Sequence, residues 1–360
     1  MKKNKFFILI LLLVFSFTLS GCSFLSIFNK ENPPATTYTT PIVIEEGSTV
    51  NQIAQACIDA VVSVFIVNKS TGEEKSFGSG VAVASGGYIA TNYHVISTAV
   101  ESQSYDIKIY HNQSTTSHTA SILWYHAALD CAILKCSCQN LPYVTMTNRS
   151  INAVNPLTIE QVIAIGTPLD FSLQNTITVG YISSTVGRIS YSDGIVYENL
   201  IQHTAPINHG NSGGALFDMN GHLVGLNTLG HDDANSLFFA IPIYPIMTVI
   251  DRVVQADKNS SIFSTAMIGV SAIDKHEAQY AQSDFDKDGV KVVKVVEDGA
   301  SYGKLSVNDI IVSLKIGEKT YQINTRNDLA YALLNANRGD IVKVDYVKGI
   351  IQYSVNITLG

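Results

Sequence analysis

Charged residues are scarce in this chain of 360 residues: Asp, Glu, Lys and Arg together make up 15% of it, and the formal net charge is -7. No run of basic residues follows the first five positions, so a surface suited to nucleic acid is missing and nucleic acid is not an expected partner. The chain has one tryptophan and nine prolines but 25 glycines, and Thr, Val, Ile, Ser and Tyr recur. This composition favours many short strands and predicts a mainly β protein.

A long apolar run is present only at the N-terminus, where it indicates an export signal. A basic start at Lys2, Lys3 and Lys5 precedes the wholly apolar stretch Phe6–Phe15. The segment closes with Leu-Ser-Gly-Cys, which resembles the bacterial lipoprotein cleavage box and implies a signal peptide over residues 1–21 and a lipid on Cys22. We therefore expect a protein that works outside the cytoplasm, anchored to the bacterial cell membrane. An uncleaved transmembrane helix over residues 6–28 is the alternative.

The length of the chain exceeds that of one ordinary hydrophobic core and predicts at least two folded units. Residues 22–47 are rich in Pro and Thr with little periodic hydrophobicity, which predicts a flexible spacer. Residues 48–256 carry short apolar runs separated by turn residues, as in a sandwich or barrels. The polar stretch Asp257–Ser261 then separates this unit from a second one over residues 262–360.

Local patterns predict the individual elements. Strands are expected at Val61–Val67, Gly80–Thr91, Ser121–Leu134, Gln161–Ile165, Thr176–Ser183, Leu223–Asn227, Val290–Val296, Asp309–Leu314 and Ile341–Tyr346. Apolar residues at helical spacing predict helices at Thr49–Ala60, Ile243–Val254 and Arg326–Asn335.

Four cysteines follow Cys22, namely Cys57, Cys131, Cys136 and Cys138. One residue separates the last two, whereas cysteines in zinc knuckles usually have two residues between them. No metal site is therefore expected. In an exported protein the four could pair, but Cys131 lies in an apolar run where a free cysteine behaves as a small core residue. We expect most of the four to be unpaired, and their pairing stays open.

A serine among glycines stands out at Gly210-Asn211-Ser212-Gly213-Gly214. Glycines let the backbone turn sharply and let a substrate carbonyl approach backbone N–H groups, as an oxyanion hole requires. The segment also matches the nucleophile elbow of α/β-hydrolases, in which the acid and then the histidine follow the serine. The histidines that follow here, His222, His231 and His276, lie in no motif.

Upstream of Ser212, two further residues complete a catalytic constellation. His94 closes a strand-like run, and Asp130 lies among the apolar residues of the expected strand Ser121–Leu134. A buried carboxylate costs several kcal/mol unless it is paired, so Asp130 requires a partner such as an imidazole N–H. The order His, Asp, Ser is that of one known triad arrangement, and these three residues are the predicted catalytic triad.

These segments resemble the HtrA family of trypsin-like serine proteases, which carry an appended PDZ domain. The matching strings are Gly78–Val81, Gly87–Ile96, Leu129–Asp130, Ala164–Gly166, Ile207–Leu216 and Phe239–Pro242. The resemblance runs from about residue 50 to the end and implies a trypsin-like double β-barrel over residues 48–256, followed by a PDZ domain over residues 262–360. The implied activity is that of an extracytoplasmic serine endopeptidase acting on unfolded or misfolded polypeptides.

The resemblance also assigns roles around the triad. Ser212 would attack the scissile carbonyl, His94 would transfer its proton and Asp130 would orient the imidazole. The oxyanion hole would be formed by the backbone N–H groups of Gly210 and Ser212. Pro206 and Asn227 are assigned to the S1 pocket, and the absence of an acid at Pro206 predicts cleavage after small or medium apolar residues.

Control is expected from the second unit. Ile268, Gly269 and Val270 resemble the loop of PDZ domains that binds the carboxylate of a peptide C-terminus, with β-strand addition as the mode of binding. Arg188 matches a regulatory arginine of the family in a loop facing the PDZ domain. A homotrimer is the family norm, and the short segment Asn68–Phe77 argues against large cages.

The expected mechanism needs no cofactor. Asp284–Gly289 begins like a calcium loop, but the twelfth position is Val295 where a bidentate Glu belongs, and a strand follows instead of a helix. A polar turn is therefore preferred to a calcium site. Two other functions remain open: a binding scaffold with an inert barrel, which the intact triad disfavours, and a holdase chaperone activity alongside proteolysis.

Overall fold

The structure is a computed structural model that describes residues 41–111, 114–138, 140–147, 159–167, 173–190, 196–230, 237–280 and 285–360. Residues 185–190, 196–198, 229–230 and 279–280 are described by their backbone alone. The predicted signal peptide, Cys22 and most of the predicted spacer lie outside the described residues. Among the residues described, no helix combines the length and the apolar character needed to cross a membrane.

Six strands form a first closed barrel. They are β1 (Val61–Asn68), β2 (Glu74–Ala84), β3 (Tyr88–Thr91), β4 (Tyr105–Tyr110), β5 (His118–His126) and β6 (Cys131–Cys136). The strand order is β1-β2-β3-β6-β5-β4, and the antiparallel pairing of β1 with β4 closes the barrel. Short apolar runs thus satisfy their backbone hydrogen bonds without leaving an exposed sheet edge.

Helix α1 (Val50–Cys57) precedes the first barrel and confirms the predicted helix at Thr49–Ala60. Thr49 and Gln52 form a capping box in which each side chain accepts a hydrogen bond from the other residue's backbone N–H. The last predicted turn, Ile58–Ala60, continues as a 3-10 turn. The apolar face of α1 is buried in the barrel core.

Two predicted strands of this barrel are each divided into two, and the prediction of single strands was wrong there. Gly80–Thr91 is interrupted by Gly86 and Gly87, which both have positive φ, at 96° and 84°. Ser121–Leu134 is interrupted by the 3-10 turn Ala127–Leu129. Turns that depend on one or two residues in a left-handed conformation are invisible to a count of apolar residues.

Six further strands form a second closed barrel. They are β7 (Gln161–Gly166), β8 (Thr176–Ser190), β9 (Val196–His203), β10 (Ala215–Phe217), β11 (Leu223–Gly230) and β12 (Phe238–Pro242). The order is β10-β11-β12-β9-β8-β7, closed by β10 on β7. The sequence predicted β7, β8 and β11, and it missed β9, β10 and β12.

Beyond the second barrel the chain forms a 3-10 turn at Tyr244–Ile246, where the sequence predicts the start of a helix, and then a helix and a third sheet. The helices in this half are α3 (Met247–Lys258), α4 (Lys275–Tyr280) and α5 (Arg326–Leu334), and α2 (Tyr93–Glu101) belongs to the first barrel. The third sheet contains β13 (Val270–Ile273), β14 (Val290–Val295), β15 (Ile310–Ile316), β16 (Lys319–Gln322), β17 (Ile341–Lys348) and β18 (Ile351–Thr358). Its order is β13-β14-β15-β17-β18, with β16 on β15, so β13 is an edge strand.

The two barrels and the third sheet confirm a mainly β protein with a trypsin-like double barrel, and the third sheet is consistent with a PDZ domain. One core cluster joins the first barrel with part of the second barrel and with α3, the third sheet has its own core, and α5 contributes to both. Leu329 and Ala332 pack in the core of the third sheet, whereas Leu334 packs in the core cluster shared by the barrels and α3. A helix that is apolar on two faces is explained by burial on both sides.

Direct hydrogen bonds also join the third sheet to the barrels. Arg252 on α3 donates to Leu334 O at 2.7 Å, to Ala336 O at 2.9 Å and to Asn337 Oδ1 at 2.6 Å, all just beyond α5 or at its end. Trp124 Nε1 on β5 donates to Thr265 Oγ1 at 2.8 Å. These contacts hold the end of α5 against α3, and the segment before β13 against the first barrel.

The cysteines differ in part from the expectation. Cys57 and Cys131 are buried and free, as expected, but Cys136 and Cys138 form a disulfide. The expectation that most would be unpaired was therefore wrong for the last two. They lie where β6 ends and the chain leaves the barrel, which brings two sulfur atoms together without a long-range contact.

Candidate active site

His94 lies in the first turn of α2, directly after β3. The sequence placed it at the end of a strand-like run and did not predict this helix. Asn92 is the N-cap residue, and the backbone N–H of His94 donates to Asp130 Oδ1 at 2.9 Å. One of the free N–H groups at the start of the helix is therefore satisfied by a carboxylate. The side chain of His94 is 39% exposed, which leaves it accessible to a ligand.

Asp130 lies between β5 and β6 and not within a strand, contrary to the expectation from its apolar neighbours. It has φ 49° and caps the turn Ala127–Leu129, with its N–H donating to Ala127 O at 3.1 Å. Its side chain is 3% exposed and contacts His94 Nδ1 at 2.8 Å through Oδ2 and at 3.0 Å through Oδ1. The buried carboxylate thus has the imidazole partner that the sequence argument required.

The Asp130 carboxylate also sets the charge state of His94. Desolvation is the largest single influence and lowers the pKa of His94, but the negative charge of Asp130 and its hydrogen bond together outweigh it. The net effect raises the pKa of His94 above its ordinary value. The ring is therefore a stronger base than an isolated imidazole, and its Nδ1–H is directed at the carboxylate.

Ser212 lies in the glycine loop before β10, and the first barrel fixes this loop. Ser79 on β2 donates from its N–H to Ser212 O at 2.8 Å and from its Oγ to Gly210 O at 2.7 Å. Gly213 has φ 81°, and a Cβ there would collide with Ser79 O and Thr91 Oγ1. Only glycine allows this close docking of the loop of one barrel on the other.

Thr228 on β11 connects Ser212 with Asp130. Its Oγ1 donates to Asp130 Oδ2 at 3.2 Å, and its carbonyl oxygen accepts the hydroxyl proton of Ser212 at 2.7 Å. The structure thus brings His94, Asp130 and Ser212 to one place between the barrels. A hydroxyl has one proton, so in this arrangement Ser212 donates to Thr228 and not to His94.

The two residues assigned to the S1 pocket have different surroundings. Pro206 is exposed, and its carbonyl oxygen accepts from Thr178 Oγ1 at 2.7 Å. Asn227 is fully buried; its Nδ2 donates to Ala215 O at 2.9 Å, and its carbonyl accepts the N–H of Gly213 at 2.8 Å. Asn227 therefore lies directly behind the serine loop.

The residues assigned to peptide binding lie at the edge of the third sheet. Gly269 has φ 76°, and a Cβ there would lie 2.8 Å from Ala300 N. Ile268 is buried, and its carbonyl accepts from Ser301 Oγ at 2.6 Å, whereas Val270 begins the edge strand β13. Arg188 was expected in a loop, but its backbone belongs to the long strand β8, which pairs with β9 on both sides of it; its side chain lies outside the described part of the structure.

Sequence reasoning missed Ser79 and Thr228. A signal existed for Ser79, because it stands between two glycines, Gly78 and Gly80, in a string that matched a known family. Thr228 carried no signal, since a threonine in an apolar strand is ordinary and its partner Asp130 is 98 residues away.

Comparisons with known proteins agree with this geometry. A family model described as a trypsin-like peptidase domain matches residues 78–226. The serine endoprotease DegS of Escherichia coli K12 is 30% identical over 328 residues, covering 88% of this chain and 86% of its own length. The serine protease Do-like HtrA of Lactococcus lactis IL1403 is 31% identical over 291 residues, covering 76% of this chain and 68% of its own.

A solved structure supports the same assignment. The crystal structure of the serine endoprotease from Yersinia pestis is similar with a TM-score of 0.58 and 27% identity, covering 88% of this chain and 98% of that one. Similarity of this extent in both sequence and fold covers the barrels and the third sheet together. The chain is a serine endopeptidase and belongs to the HtrA family of serine proteases.

Proposed function

We propose that the chain hydrolyses peptide bonds of unfolded or damaged polypeptides, or of one regulatory substrate, through an acyl-enzyme formed on Ser212. The observation that carries this is the bridge made by Thr228, which bonds to Asp130 through its side chain and to Ser212 through its carbonyl. With His94 bonded to Asp130 at 2.8 Å, an acid, a base and a hydroxyl converge from two barrels.

In this mechanism Ser212 Oγ attacks the scissile carbonyl carbon, and His94 Nε2 accepts the hydroxyl proton. The same imidazole then protonates the leaving amine, and a water repeats the sequence to release the acyl group. Asp130 holds the tautomer and stabilises the imidazolium. Because the Ser212 proton points to Thr228 O, the hydroxyl rotates toward His94 before attack.

The developing oxyanion would be stabilised by the backbone N–H groups of Gly210 and Ser212. Gly210 has φ 94°, a conformation that suits a glycine, and its carbonyl is held by Ser79. Each preorganised donor of this kind lowers a barrier by about 3–4 kcal/mol. Removal of Ser79 Oγ by Ser79→Ala loosens this loop and lowers kcat more than it raises KM.

The specificity we propose is for small or medium apolar residues before the scissile bond. Pro206 brings no acid to the assigned S1 pocket, and Asn227 is an uncharged amide already bonded to Ala215 O. The test is the digestion of a mixed peptide library with sequencing of the products. A digest dominated by cuts after Lys or Arg overturns this assignment.

The third sheet is proposed to be a PDZ domain that binds peptide C-termini at Ile268–Val270 and so controls cleavage, with Arg188 as one relay. The edge strand β13 offers backbone groups for strand addition, and Gly269, which has φ 76° and no Cβ, permits close approach of a carboxylate. An apolar C-terminal peptide should raise cleavage of an unrelated reporter, and deletion of residues 261–360 should abolish that response. Flat turnover at saturating peptide contradicts control by this domain.

Export, lipidation of Cys22 and a trimeric assembly complete the proposal. Their support is the basic and apolar N-terminus with its Leu-Ser-Gly-Cys box and the resemblance to the family. Incorporation of a labelled fatty acid that is lost in Cys22→Ser tests the anchor. Light scattering of the purified protein tests the trimer.

The central experiment incubates unfolded casein with the purified full-length protein and with its Ser212→Ala variant. The wild type should cleave casein, and the variant should lose the acyl-enzyme route, a loss of several orders of magnitude. A far-UV spectrum equal to that of the wild type controls for folding. Equal cleavage by both proteins contradicts the proposal.

A further inference from the structure

Four polar side chains are buried where the two barrels meet. Ser63 on β1 and Ser79 on β2 are fully buried, Thr167 is 1% exposed and Gln174 is 8% exposed. A buried polar side chain costs free energy unless it is hydrogen-bonded, and an apolar side chain in the same place avoids that cost. Packing alone therefore does not account for a polar group at each of these positions.

The register of the first barrel places Ser63 and Ser79 side by side. They are directly opposite each other in the pairing of β1 with β2, and Ser63 is opposite Tyr110 in the pairing of β1 with β4. Residues that are opposite each other in an antiparallel pair point to the same face of the sheet. Both serine hydroxyls bond to residues of the second half of the protease domain, so this face is the one that meets the second barrel.

Thr167 is the first residue after β7, so strand pairing no longer fixes its position. Two hydrogen bonds to the first barrel hold it instead. Its backbone N–H donates to Ser79 Oγ at 2.9 Å, and its Oγ1 shares a hydrogen bond with Ser63 Oγ at 2.8 Å. The direction of the Thr167 N–H therefore depends on the bond that its side chain makes.

Gln174, two residues before β8, sets the direction of the bond between Ser63 and Thr167. Its Nε2 donates to Ser63 Oγ at 2.8 Å and to Tyr110 O at 3.2 Å. Because Ser63 accepts this amide proton, its own hydroxyl proton is available for Thr167 Oγ1. The amide thus orients the hydroxyl that holds Thr167.

Ser79 carries these contacts to the serine loop. Its Oγ accepts from Thr167 N–H and donates its one proton to Gly210 O at 2.7 Å, and its own N–H donates to Ser212 O at 2.8 Å. A hydroxyl that accepts a hydrogen bond is a stronger donor in turn. Ser79 therefore binds the carbonyls of Gly210 and Ser212, the two residues whose N–H groups are the proposed oxyanion donors.

We propose that Ser63, Thr167 and Gln174 are positioning residues of the oxyanion hole, which act by directing the Ser79 hydroxyl at Gly210 O. The inference rests on the proposed acylation of Ser212 and on the proposed oxyanion donors. It extends the positioning machinery to residues of both barrels that are not assigned to substrate binding or proton transfer. A purely structural role predicts a lower free energy of unfolding with kcat unchanged.

The first test removes one hydroxyl from the full-length protein. Thr167→Val keeps the shape of the side chain and leaves Ser63 without its partner. It should lower kcat for a fluorogenic peptide about tenfold and change KM less than about twofold, since a displaced oxyanion donor costs less than the roughly hundredfold loss from a missing one. Thr167→Ser keeps the hydroxyl and should retain kcat to within about twofold.

A double variant separates positioning from stability. Ser63→Ala with Thr167→Val removes both partners of one hydrogen bond, which is nearly neutral for the free energy of unfolding, and Gln174 keeps Tyr110 O as acceptor. The value of kcat should nevertheless fall as in Thr167→Val. The matched control is Ser313→Ala in the third sheet, because Ser313 is also buried and donates to Asp345 Oδ2 at 2.8 Å. This control should lower the free energy of unfolding and leave kcat unchanged.

The second test observes the oxyanion hole directly. An activated aryl ester with an isotope-labelled carbonyl acylates Ser212 and releases the phenol, and difference infrared spectroscopy measures the carbonyl stretch of the new ester. A carbonyl that accepts hydrogen bonds from the hole absorbs at lower frequency than a free one. The stretch should move to higher frequency in Thr167→Val and in the double variant, and it should stay at the wild-type value in Thr167→Ser and Ser313→Ala.

Gln174→Met is the second variant to use if Thr167→Val does not fold. It removes the donor to Ser63 and should change kcat and the carbonyl frequency in the same direction by a smaller amount. Wild-type kcat and frequency in the folded Thr167 or Gln174 variants overturn the inference. A fall in kcat at an unchanged frequency also overturns it, because the loss then lies outside the oxyanion hole.

The two proposals fail in distinguishable ways. If the ester forms no adduct on Ser212, or if Ser212→Ala cleaves casein as well as the wild type, the proposed mechanism is wrong. If the adduct forms on Ser212 and its carbonyl frequency is the same in Thr167→Val as in the wild type, the mechanism stands and the inference about Ser63, Thr167 and Gln174 is wrong.

Discussion

The site between the barrels and the cavity beside α5 share the segment from Tyr125 to Asp130, yet they are built in different ways. Around Asp130 the contacts are buried hydrogen bonds donated by His94, Thr228 and Asn92. Loss of any of them would leave a buried polar group unpaired, which costs free energy. The cavity between the first barrel and the third sheet is lined mainly by apolar side chains, and Thr265 in its lining accepts a hydrogen bond from Trp124 Nε1. Directional bonds fix the first region in one geometry, whereas the apolar contacts that line most of the second have no preferred direction.

The largest effect is expected from a change inside the polar site. Asp130→Asn keeps the size of the side chain but removes the charge and favours the wrong tautomer of His94, so kcat should fall by roughly three to four orders of magnitude. The measurement is steady-state cleavage of a fluorogenic peptide, with circular dichroism as the folding control. A fall of less than about tenfold would show that Asp130 does not orient the base.

A smaller effect is expected where α3 holds the end of α5. Arg252→Met keeps an apolar stem over Phe263 but leaves Leu334 O and Ala336 O without their donor. Because bonds to a charged donor contribute about 1.5–3 kcal/mol, the free energy of unfolding should fall by about 2 kcal/mol. Arg338→Met, at an exposed position, is the control and should be neutral in the same urea titration.

The charge of the polar site also predicts its pH dependence. Because the pKa of His94 is raised by Asp130, kcat/KM should fall as the pH is lowered through a midpoint above the ordinary value of about 6.5. An NMR titration of the His94 ring should show this midpoint moving down in Asp130→Asn. The raised pKa of His94 also contributes to the free energy of unfolding. This contribution is fully present below the pKa of His94 in the unfolded chain and is lost as the pH rises through its pKa in the folded protein. An unchanged midpoint in the variant contradicts the pairing.

The smallest effect is expected from the disulfide of Cys136 with Cys138. It closes a loop with one intervening residue, so the chain-entropy relation gives about 1.5 kcal/mol or less, against about 3 kcal/mol for a loop of 15 residues. The paired change of both residues to serine should lower the free energy of unfolding by no more than this and leave kcat unchanged. A collapse of activity in the folded variant would indicate a role for the disulfide in the site.

The regions also differ in how far the sequence predicts them. The identities of His94, Asp130 and Ser212 followed from glycine-rich and apolar contexts that local chemistry explains. The turn that carries Asp130 and the helix that carries His94 were missed, because one residue with positive φ and one N-cap decide them. The role of Thr228 and the presence of the cavity depend on contacts between residues that are 98 or more positions apart in the sequence. Local hydrophobic periodicity carries no information about such contacts.

The most direct test of the account is covalent labelling of the wild-type protein with a fluorophosphonate, followed by peptide mass spectrometry. The account predicts one adduct on Ser212 that forms together with the loss of casein cleavage. It also predicts that His94→Ala slows labelling by several orders of magnitude, since the base is gone. An adduct on another serine with full loss of activity, or full activity with Ser212 modified, would contradict the account.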